Sequence, residues 1–391
     1  MKFFIVSNMF PDEKHPSYGI FVKHFCEQLD SLQIAYDTSV MKQADNPIQK
    51  LLRYMKFYVG TVVRMLFVSY DAVYVHYASH SSPPVLFANK LRKKKIFVNV
   101  HGSDVVPENP KQEKMQKYTQ AILKVCETVV VPSVYFQNYT VEKYHLADKC
   151  VFVYPSGGID KNMFYMASPE KKQELRASFG FFEKRPVFAM IGRISAGKGW
   201  DVFLKAISIC VKKNLCADFL ILGKGAESQQ LLQLCDILAL TEYVKIIDQL
   251  VSQEQLANWY NAVDYFVFPT KREGESLGLV AIEAMACGTP VISSDFAAPK
   301  YYVQENKNGF QFQVDNAEAL SEKIETCIDV FSTSAYDVLC LNTLHNPLNR
   351  RLSKIVTVRL HCQSIYTNNN LFLFFTIIII VLTIRIVSSF L

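Results

Sequence analysis

The sequence predicts an α/β protein built from two doubly wound parallel sheets, each in a domain of its own. The 391 residues are too many for one ordinary hydrophobic core and suit two domains. Half of the residues are hydrophobic and a fifth are charged, which is typical of a packed globular chain. Short β-branched or aromatic runs alternate with helical stretches, a pattern that favours right-handed βαβ units.

The predicted strands fall into two series. The first comprises Phe3–Ser7, Ile34–Val40, Ala72–His76, Ile96–Val100, Thr128–Val131 and Val151–Tyr154. The second comprises Val187–Ile191, Asp218–Leu222, Lys245–Ile247, Tyr265–Phe268 and Val291–Ser293. They define an N-terminal domain over residues 1–160, a linker over 161–185, a second domain over 186–330 and an atypical tail over 331–391. Ligands of such sheets bind beyond the carboxyl ends of the strands, here expected in a central cleft that the two domains face.

Composition narrows the classes of partner. The net charge of +6 suits anionic small molecules or an anionic membrane surface, and no nucleic-acid-binding motif is present. The ten cysteines are scattered without zinc-site spacing, which favours a reducing cytoplasm. No signal-peptide pattern precedes the first strand, so a cytoplasmic protein is expected.

The most informative segment lies between Phe268 and Val291. Two carboxylates, Glu275 and Glu283, bracket a small turn, Ser276-Leu277-Gly278, at the start of an apolar helix. Gly278 lets a ligand approach the backbone closely, and the helix N-terminus favours phosphate. The segment therefore suits a polyhydroxylated ligand that also carries phosphate.

A basic loop follows the first strand of the second series. Arg193 offers a planar fork of donors, Lys198 is a point charge on a flexible stem, and Gly197 and Gly199 permit tight backbone. Fixed cations of this kind would hold a diphosphate and stabilise negative charge on a leaving oxygen.

Together these motifs resemble the family-4 retaining glycosyltransferases, also called glycosyl transferases group 1. The run that begins at Glu275 resembles the signature E-G-F-G-L-V-x-x-E-A-M-A-C-G-T-P-V, with Leu277 in place of Phe, and residues 192–199 match G-R-x-x-x-x-K-G. The turn at Gly223 resembles a G-x-G-x-E turn near the nucleotide base, and His101-Gly-Ser-Asp104 resembles H-G-x-D. Gly19 lies in a G-I-F-V variant found in bacterial polysaccharide enzymes. The resemblance covers about residues 1–330 and implies the GT-B fold, two Rossmann-like domains.

The resemblance implies a retaining hexosyltransferase of bacterial surface-polysaccharide or capsule biosynthesis. Its substrates would be a nucleotide-sugar donor and a glycan or polyprenyl-linked acceptor. The implied catalytic residues are His101, Arg193, Lys198 and Glu275. The implied donor-binding residues are Gly19, Arg193, Lys198, Gly223, Glu275, Ser276, Leu277, Gly278 and Glu283. No Asp-x-Asp motif occurs, so neither a metal nor a cofactor is expected.

Other functions stay open. One is a catalytically impaired, membrane-associated subunit with the same fold. Another is a sugar-nucleotide epimerase or a glycogen-phosphorylase-like enzyme, although a phosphorylase would need a pyridoxal-phosphate lysine. Consumption of a nucleotide sugar separates these functions from the transferase.

One segment of the first domain is a candidate for peripheral membrane contact. Residues 50–69 carry four basic side chains at roughly helical spacing and no acidic one, and a second basic cluster covers Arg92 to Lys95. A helix of this kind can lie on anionic headgroups. An ordinary crossover helix with a solvated basic face explains the pattern equally well.

The tail departs from the rest of the chain after about residue 343. The run from Leu371 to Ile384 is apolar but shorter than the ~20 residues that span a bilayer, and Arg385 follows it. A frameshift product is favoured here over a hydrophobic anchor.

Overall fold

The computed structural model describes residues 2–15, 18–147, 149–155, 159–160, 162–181 and 185–344. These residues form two compact units: unit 1 ends at Gly158 and unit 2 begins at Ile159. Each unit has its own six-stranded parallel sheet and its own hydrophobic core. The α/β class and the two doubly wound sheets predicted from the sequence are therefore confirmed.

Unit 1 alternates strands and helices along its whole length. Its strands are β1 (Lys2–Phe10), β2 (Ala35–Lys42), β3 (Ala72–His76), β4 (Ile96–Asn99), β5 (Thr128–Val131) and β6 (Cys150–Val153). Its helices are α1 (Ile20–Ser31), α2 (Pro47–Phe67), α3 (Ala78–Leu91), α4 (Pro110–Val125) and α5 (Val134–Tyr144). The strand order is β2-β1-β3-β4-β5-β6. Because β1 lies between β2 and β3, the order reverses there, and the loops after β1 and β3 diverge at a switch point.

The sheet of unit 1 is covered on both faces. In β1, Phe4 and Val6 belong to one core layer, whereas Phe3 and Ile5 belong to the layer on the opposite face. Every residue of β3 is buried. A sheet buried on both faces needs nearly continuous apolar strands, which is why these runs could be recognised in the sequence.

Residues 50–67, whose basic side chains recur at helical spacing in the sequence, lie within helix α2. Asn46 caps its N-terminus, since its side chain accepts a hydrogen bond from the Gln49 N–H at 2.8 Å. Phe57, Thr61 and Met65, spaced four apart, form its buried face. The helix thus packs on the sheet through one side only.

Unit 2 begins with a helix and continues as a second βαβ series. Its strands are β7 (Val187–Ile191), β8 (Asp218–Leu222), β9 (Val244–Ile247), β10 (Tyr265–Phe268), β11 (Val291–Ser294) and β12 (Gly309–Phe312). Its α-helices are α6 (Pro169–Ser178), α7 (Trp200–Lys212), α8 (Ser228–Ile237), α9 (Gln253–Ala262), α10 (Leu279–Ala286), α11 (Ala317–Phe331) and α12 (Ser334–Leu344). The strand order is β12-β11-β10-β7-β8-β9. The switch point lies between β7 and β10, the strands that precede the two motif-bearing loops.

Two elements of unit 2 were not predicted. Helix α6 lies in the stretch 161–185 that the sequence suggested as a linker. Only Leu175 and Arg176 of this helix are buried, so its sequence looks like a solvated connection. Strand β12 was missed because it has only four residues at the sheet edge, with the partly exposed Gln311 between two phenylalanines.

Helix α12 closes the described part of the chain. It packs on α10 and α11, with Leu339 and Cys340 buried. The frameshift and anchor predictions concern residues beyond 344 and lie outside the described residues. Within the described ranges, no helix combines the length and the apolar character needed to cross a membrane.

A buried ion cluster ties α6 and α12 to the start of β10. The Asp264 carboxylate, whose side chain is 2% exposed, pairs with Arg176 and lies 2.8 Å from Lys172 Nζ. It also accepts hydrogen bonds from the Val187 N–H at 2.9 Å and the Tyr336 hydroxyl at 3.1 Å. Burial alone would raise the pKa of Asp264, but the two cations and these donors outweigh burial and hold it below its ordinary value.

Replacing Asp264 by Ala should destabilise unit 2 by about 3–5 kcal/mol, because Arg176 would be left as a buried charge without its carboxylate. Thermal unfolding and hydrogen exchange of α6 and α12 amides measure the effect. Asp337→Ala on the exposed side of α12 is the matched control and should change stability by less than about 0.5 kcal/mol. Equal stability losses in the two variants would contradict the structural role given to Asp264.

Candidate functional site

Loops of unit 2 meet at the switch point, beyond the carboxyl ends of β7 and β10. Gly199, at the N-terminus of α7, has a φ of 79° and touches the end of β10: a Cβ built on it would lie 1.8 Å from the Pro269 carbonyl oxygen. The Lys271 N–H donates to the Gly197 carbonyl at 2.8 Å. These backbone contacts fix the loop that carries Lys198 against the loop that leads to residue 275.

Lys198 and Glu275 form an ion pair across these loops. Lys198 Nζ lies 2.5 Å from Glu275 Oε2, and the two side chains are only 16% and 12% exposed. Thr270 Oγ1 lies 3.4 Å from the same carboxylate oxygen. Lys198 Nζ also lies 5.7 Å from the centre of the Phe268 ring. The sequence suggested separate tasks for Lys198 and Glu275, whereas the structure joins them in one partly buried pair.

Arg193 lies in the same β7–α7 loop but differs from Lys198 in its surroundings. Its side chain is exposed, and no ion pair links it to a carboxylate in the described part of the chain. An exposed guanidinium beside a partly buried lysine can meet an anion that arrives from solvent.

The turn Ser276–Gly278 leads directly into α10. Gly278 has a φ of 74°, and a Cβ on it would lie 2.8 Å from the Phe268 ring and 2.9 Å from the Tyr302 hydroxyl. Leu277 is buried, so its replacement of the more usual phenylalanine keeps the apolar contact. The turn presents the N-terminal amides of α10 beside Glu275, which favours an anionic group there.

Glu283 lies one turn into α10, and its environment differs from that of Glu275. The Tyr260 hydroxyl donates to Glu283 Oε2 at 3.2 Å. Burial raises the pKa of Glu283 to about 7, and the tyrosine hydrogen bond opposes the shift. Near neutral pH the carboxyl group is therefore poised between its two protonation states.

Tyr302 is a site residue that the sequence did not reveal. Its buried hydroxyl makes no hydrogen bond with any described residue. Burial, and next the charge of Glu275, raise the pKa of Tyr302 well above its ordinary value. It comes from a short helical turn beyond β11, and no sequence spacing connects it with Glu275.

The β8–α8 loop borders the site on the other side of β7. A Cβ on Gly223 would lie 1.8 Å from the Gly192 carbonyl oxygen, so this glycine is needed for contact with the loop of Arg193. The Trp200 indole N–H donates to Glu227 Oε2 at 2.8 Å. Glu227 therefore links α7 to the β8–α8 loop.

In unit 1, Gly19 and His101 belong to one neighbourhood. Gly19, with a φ of 73°, precedes α1 and touches the backbone of Met9, where a Cβ would lie 2.6 Å from the carbonyl carbon. Two residues later, the Phe21 ring stacks on His101 with centroids 3.9 Å apart. His101 follows β4, so the structure brings these two predicted residues together through Phe21.

His101 lies within hydrogen-bond distance of a second histidine, His76, which is not among the predicted site residues. His76 Nδ1 at the end of β3 lies 3.1 Å from His101 Nε2. Burial lowers the pKa of His101 to about 3, and burial together with His101 lowers that of His76 well below its ordinary value. Both rings are therefore neutral near pH 7. With Phe21, Phe25 and Asn99 they line a small pocket of unit 1.

Asp104 has a structural position. Its carboxylate accepts hydrogen bonds from the N–H groups of His101, Gly102 and Ala78, all at 2.8–2.9 Å. It thus holds the loop after β4 to the start of α3 and orients the backbone of His101.

The acidic, histidine and cysteine side chains of the described residues are spread over the two units. No group of three or more His, Cys, Asp or Glu side chains there could hold a metal ion. The metal independence expected from the sequence stays a prediction.

Comparison with known proteins relates this geometry to a family. Residues 171–330 match the family model of glycosyl transferases group 1. A GDP-mannose-dependent phosphatidylinositol monomannoside mannosyltransferase of Corynebacterium glutamicum is 30% identical over 206 residues, which cover 51% of this chain and 52% of that protein. The chain thus spans about half the length of this relative.

Solved structures show the same fold over nearly the whole chain. Sucrose-phosphate synthase from Thermosynechococcus elongatus superposes with a TM-score of 0.72 at 18% identity, covering 92% of this chain and 99% of that one. Anabaena HepE in complex with UDP gives a TM-score of 0.68 at 17% identity, covering 91% and 99%. The chain therefore has the GT-B fold, and its residues 171–330 are a glycosyl transferases group 1 domain.

Proposed function

We propose that the protein is a glycosyltransferase that moves a sugar from a nucleotide-sugar donor to a hydroxyl group of a glycan or lipid-linked acceptor. The Lys198–Glu275 pair beside the N-terminus of α10 supports this proposal most directly. The pair holds an ammonium group and a carboxylate within one small space, where they would meet the phosphate and the sugar hydroxyls of a donor. The mannosyltransferase relative uses GDP-mannose by its name, and the HepE structure contains UDP.

Arg193 and Lys198 would bind the diphosphate. As the bond between the sugar and the phosphate breaks, negative charge grows on the leaving oxygen, and cations already in place stabilise it more than they stabilise the bound donor. Because Lys198 already faces Glu275, an arriving diphosphate would share this ammonium group with the carboxylate. The protein would thus use fixed side-chain charges where other enzymes use a metal ion.

The two carboxylates would divide the recognition of the donor. Glu275, beside Lys198 and the Ser276–Gly278 turn, would accept hydrogen bonds from sugar hydroxyls. Glu283 would accept from the ribose, a contact that donor and nucleotide product share. Gly223, in the loop beside Arg193, would lie towards the nucleotide base.

The remaining features come from the family resemblance. The reaction would retain the anomeric configuration, with the departing phosphate oxygen taking the acceptor proton, and His101 would lie beside the transferred sugar. Surface-polysaccharide biosynthesis on the cytoplasmic side of a bacterial membrane would supply the acceptor. A screen of UDP-, GDP- and ADP-sugars by thermal stabilisation, followed by release of nucleoside diphosphate, tests the proposal. Failure of every donor to bind or turn over would favour an impaired subunit.

Removing either cation should slow the transfer step. Arg193→Ala and Lys198→Ala should each lower kcat by about 10²–10³-fold, or roughly 2–4 kcal/mol, because each removes a charge that stabilises the leaving group. Lys205→Ala, on the exposed side of α7, is the matched control and should keep full activity. Lys198→Ala also leaves Glu275 without its cation, so the thermal unfolding of this variant is measured beside its turnover to separate lost stability from lost catalysis. Unchanged turnover in either folded single variant would contradict the assignment.

The two glutamates should differ in a binding experiment with the bare nucleoside diphosphate. Glu283→Gln should weaken this binding about tenfold or more, because the amide accepts more weakly from the ribose than a carboxylate does. Glu275→Gln should leave it within about twofold while raising KM for the full donor. Calorimetry measures both, and equal losses for the two variants would refute the division of roles.

Nucleotide affinity should rise as pH increases through about 7. In the free protein Glu283 is protonated below that pH, whereas the ribose hydroxyls donate to its ionised form, so binding lowers its pKa and releases a proton. Titrations in buffers of different ionisation enthalpy measure this proton. The terminal phosphate of the nucleotide titrates near pH 6 as well. Glu283→Gln is therefore the control, and a proton release that survives in it would assign the effect to the phosphate.

Chelation should leave the reaction almost unchanged. EDTA at millimolar concentration should alter the initial rate by less than about twofold, since side chains and a helix N-terminus take the place of a metal. Strong inhibition that added magnesium or manganese reverses would overturn metal independence.

A further inference from the structure

Helix α2 of unit 1 has a second apolar face that points to solvent. The large apolar side chains with 47–80% exposure on this helix are Ile48, Leu51, Leu52, Met55, Val59, Val63 and Phe67. Their spacing of three or four places them along one stripe, opposite the buried Phe57, Thr61 and Met65. We refer to these seven residues as the α2 stripe.

The C-terminal end of α3 extends this surface. The Tyr58 hydroxyl donates to the His80 carbonyl at 3.3 Å, and the Arg92 guanidinium donates to the Leu66 carbonyl at 2.5 Å, so α2 and α3 run side by side in the same direction. Phe87 and Leu91, one turn apart on α3, are 57% and 65% exposed. Apolar side chains therefore continue beyond the end of α2. Contiguous exposed apolar surface of this kind marks an interaction site.

The surface around the stripe is strongly basic. Between residues 46 and 103 the chain has nine Lys or Arg residues and a single acidic one, Asp71. Lys56 on α2 is exposed at the edge of the stripe and forms no ion pair within the described part of the chain, whereas the exposed Lys50 lies two turns before Phe57 on the other side of the helix. The exposed basic side chains at the end of α3 are Lys90, Arg92, Lys93 and Lys95. A partner for this face must therefore be both apolar and anionic.

We infer that the α2 stripe and its flanking lysines and arginines dock unit 1 on the surface of an anionic lipid bilayer. The apolar side chains would enter the boundary between headgroups and acyl chains, while the basic side chains would reach up to the phosphate groups. Helix α2 would lie in the plane of the membrane, because its opposite face is packed on the sheet. A second copy of the chain fits less well, since it would bring like charges together. This inference does not rest on the proposed transferase activity, because it concerns vesicle binding alone.

Co-sedimentation of the full chain with lipid vesicles tests the inference. Vesicles of phosphatidylcholine with about 30 mol% phosphatidylglycerol should bind the protein at least tenfold more tightly than phosphatidylcholine alone. Raising the salt concentration from about 0.1 to 0.5 M should weaken the binding severalfold by screening. Equal binding to both vesicles, or binding indifferent to salt, would overturn the assignment of an anionic surface.

Paired variants locate the contact. Leu52→Gln/Val59→Gln/Val63→Gln should lower vesicle binding by more than about tenfold, and because these side chains are exposed, the thermal midpoint should hold. Ile237→Gln/Leu250→Gln alters two apolar residues of unit 2 that are more exposed still, at 79% and 82%, and should leave binding unchanged.

The charged residues are tested in the same way. Lys56→Gln/Lys93→Gln should lower binding by about 25-fold, at roughly fivefold for each lysine near the surface. Lys205→Gln/Lys212→Gln removes two exposed lysines from α7 and serves as the control. Equal losses of vesicle binding in the variant and its control would mean that the net charge of the protein drives the binding. That result would overturn the assignment to α2.

The apolar run near the end of the chain offers a second explanation for any vesicle binding, which the experiment must distinguish. Ile378→Asp/Ile379→Asp in the full chain should leave the salt-sensitive binding to anionic vesicles in place. If it abolishes all binding while the α2 variants bind normally, the tail and not α2 contacts the membrane. If no vesicle binds the protein and the α2 variants convert a dimer to a monomer, the stripe is a protein interface. Either result overturns the inference.

Discussion

Close contact between backbones at glycines is the constraint on which the candidate site of unit 2 depends. Gly199 touches the Pro269 carbonyl, Gly223 the Gly192 carbonyl, and Gly225 the Ile194 carbonyl, each so closely that a Cβ would lie within 2 Å of the oxygen. Because these are main-chain contacts, no side-chain rotation can relieve a clash. The loops after β7, β8 and β10 can therefore pack together in only one arrangement. This arrangement fixes the positions of Lys198 and Glu275.

Two carboxylates of this site show how environment separates chemically identical groups. Glu275 faces the ammonium of Lys198 and precedes the N-terminus of α10 by three residues. Glu283 is held by a neutral tyrosine hydroxyl in a largely buried position, and its pKa rises to about 7. One carboxylate is therefore paired with a cation of a neighbouring loop, whereas the charge of the other responds to whatever binds beside it.

The sequence predicted the strands well because most of them are buried on both faces. Runs such as Ala72–His76, Val187–Ile191 and Tyr265–Phe268 agree with the structure at both ends. It could not predict β12, which has only four residues at the sheet edge, or α6, whose residues carry too little buried apolar surface to distinguish the helix from a loop. The motifs located the loops of the candidate site. Glycines at strand ends permit close backbone contacts, and charged side chains there can bind a ligand.

Pairings across those loops could not be predicted in the same way. The contact of Lys198 with Glu275, and the position of Tyr302 near the same turn, depend on how three separate loops pack. Residues 77 positions apart in the chain gave no signal of their ion pair. The same holds for His76, which is one residue of a buried strand until the fold places it against His101.

The histidine pair of unit 1 restricts the hydrogen bonds that His101 can form with a ligand. Both rings are neutral, so of the two nitrogens that face each other one donates and the other accepts. If His76 Nδ1 donates, His101 carries its proton on Nδ1 and that nitrogen can only donate to a ligand; in the opposite tautomer it can only accept. His76 Nε2 is buried and makes no hydrogen bond with a described residue. Whether this nitrogen carries the proton of His76 therefore determines whether His101 Nδ1 donates a hydrogen bond to a ligand or accepts one. The chemistry of His101 is therefore set from a position one strand away, by a residue that need not touch the ligand.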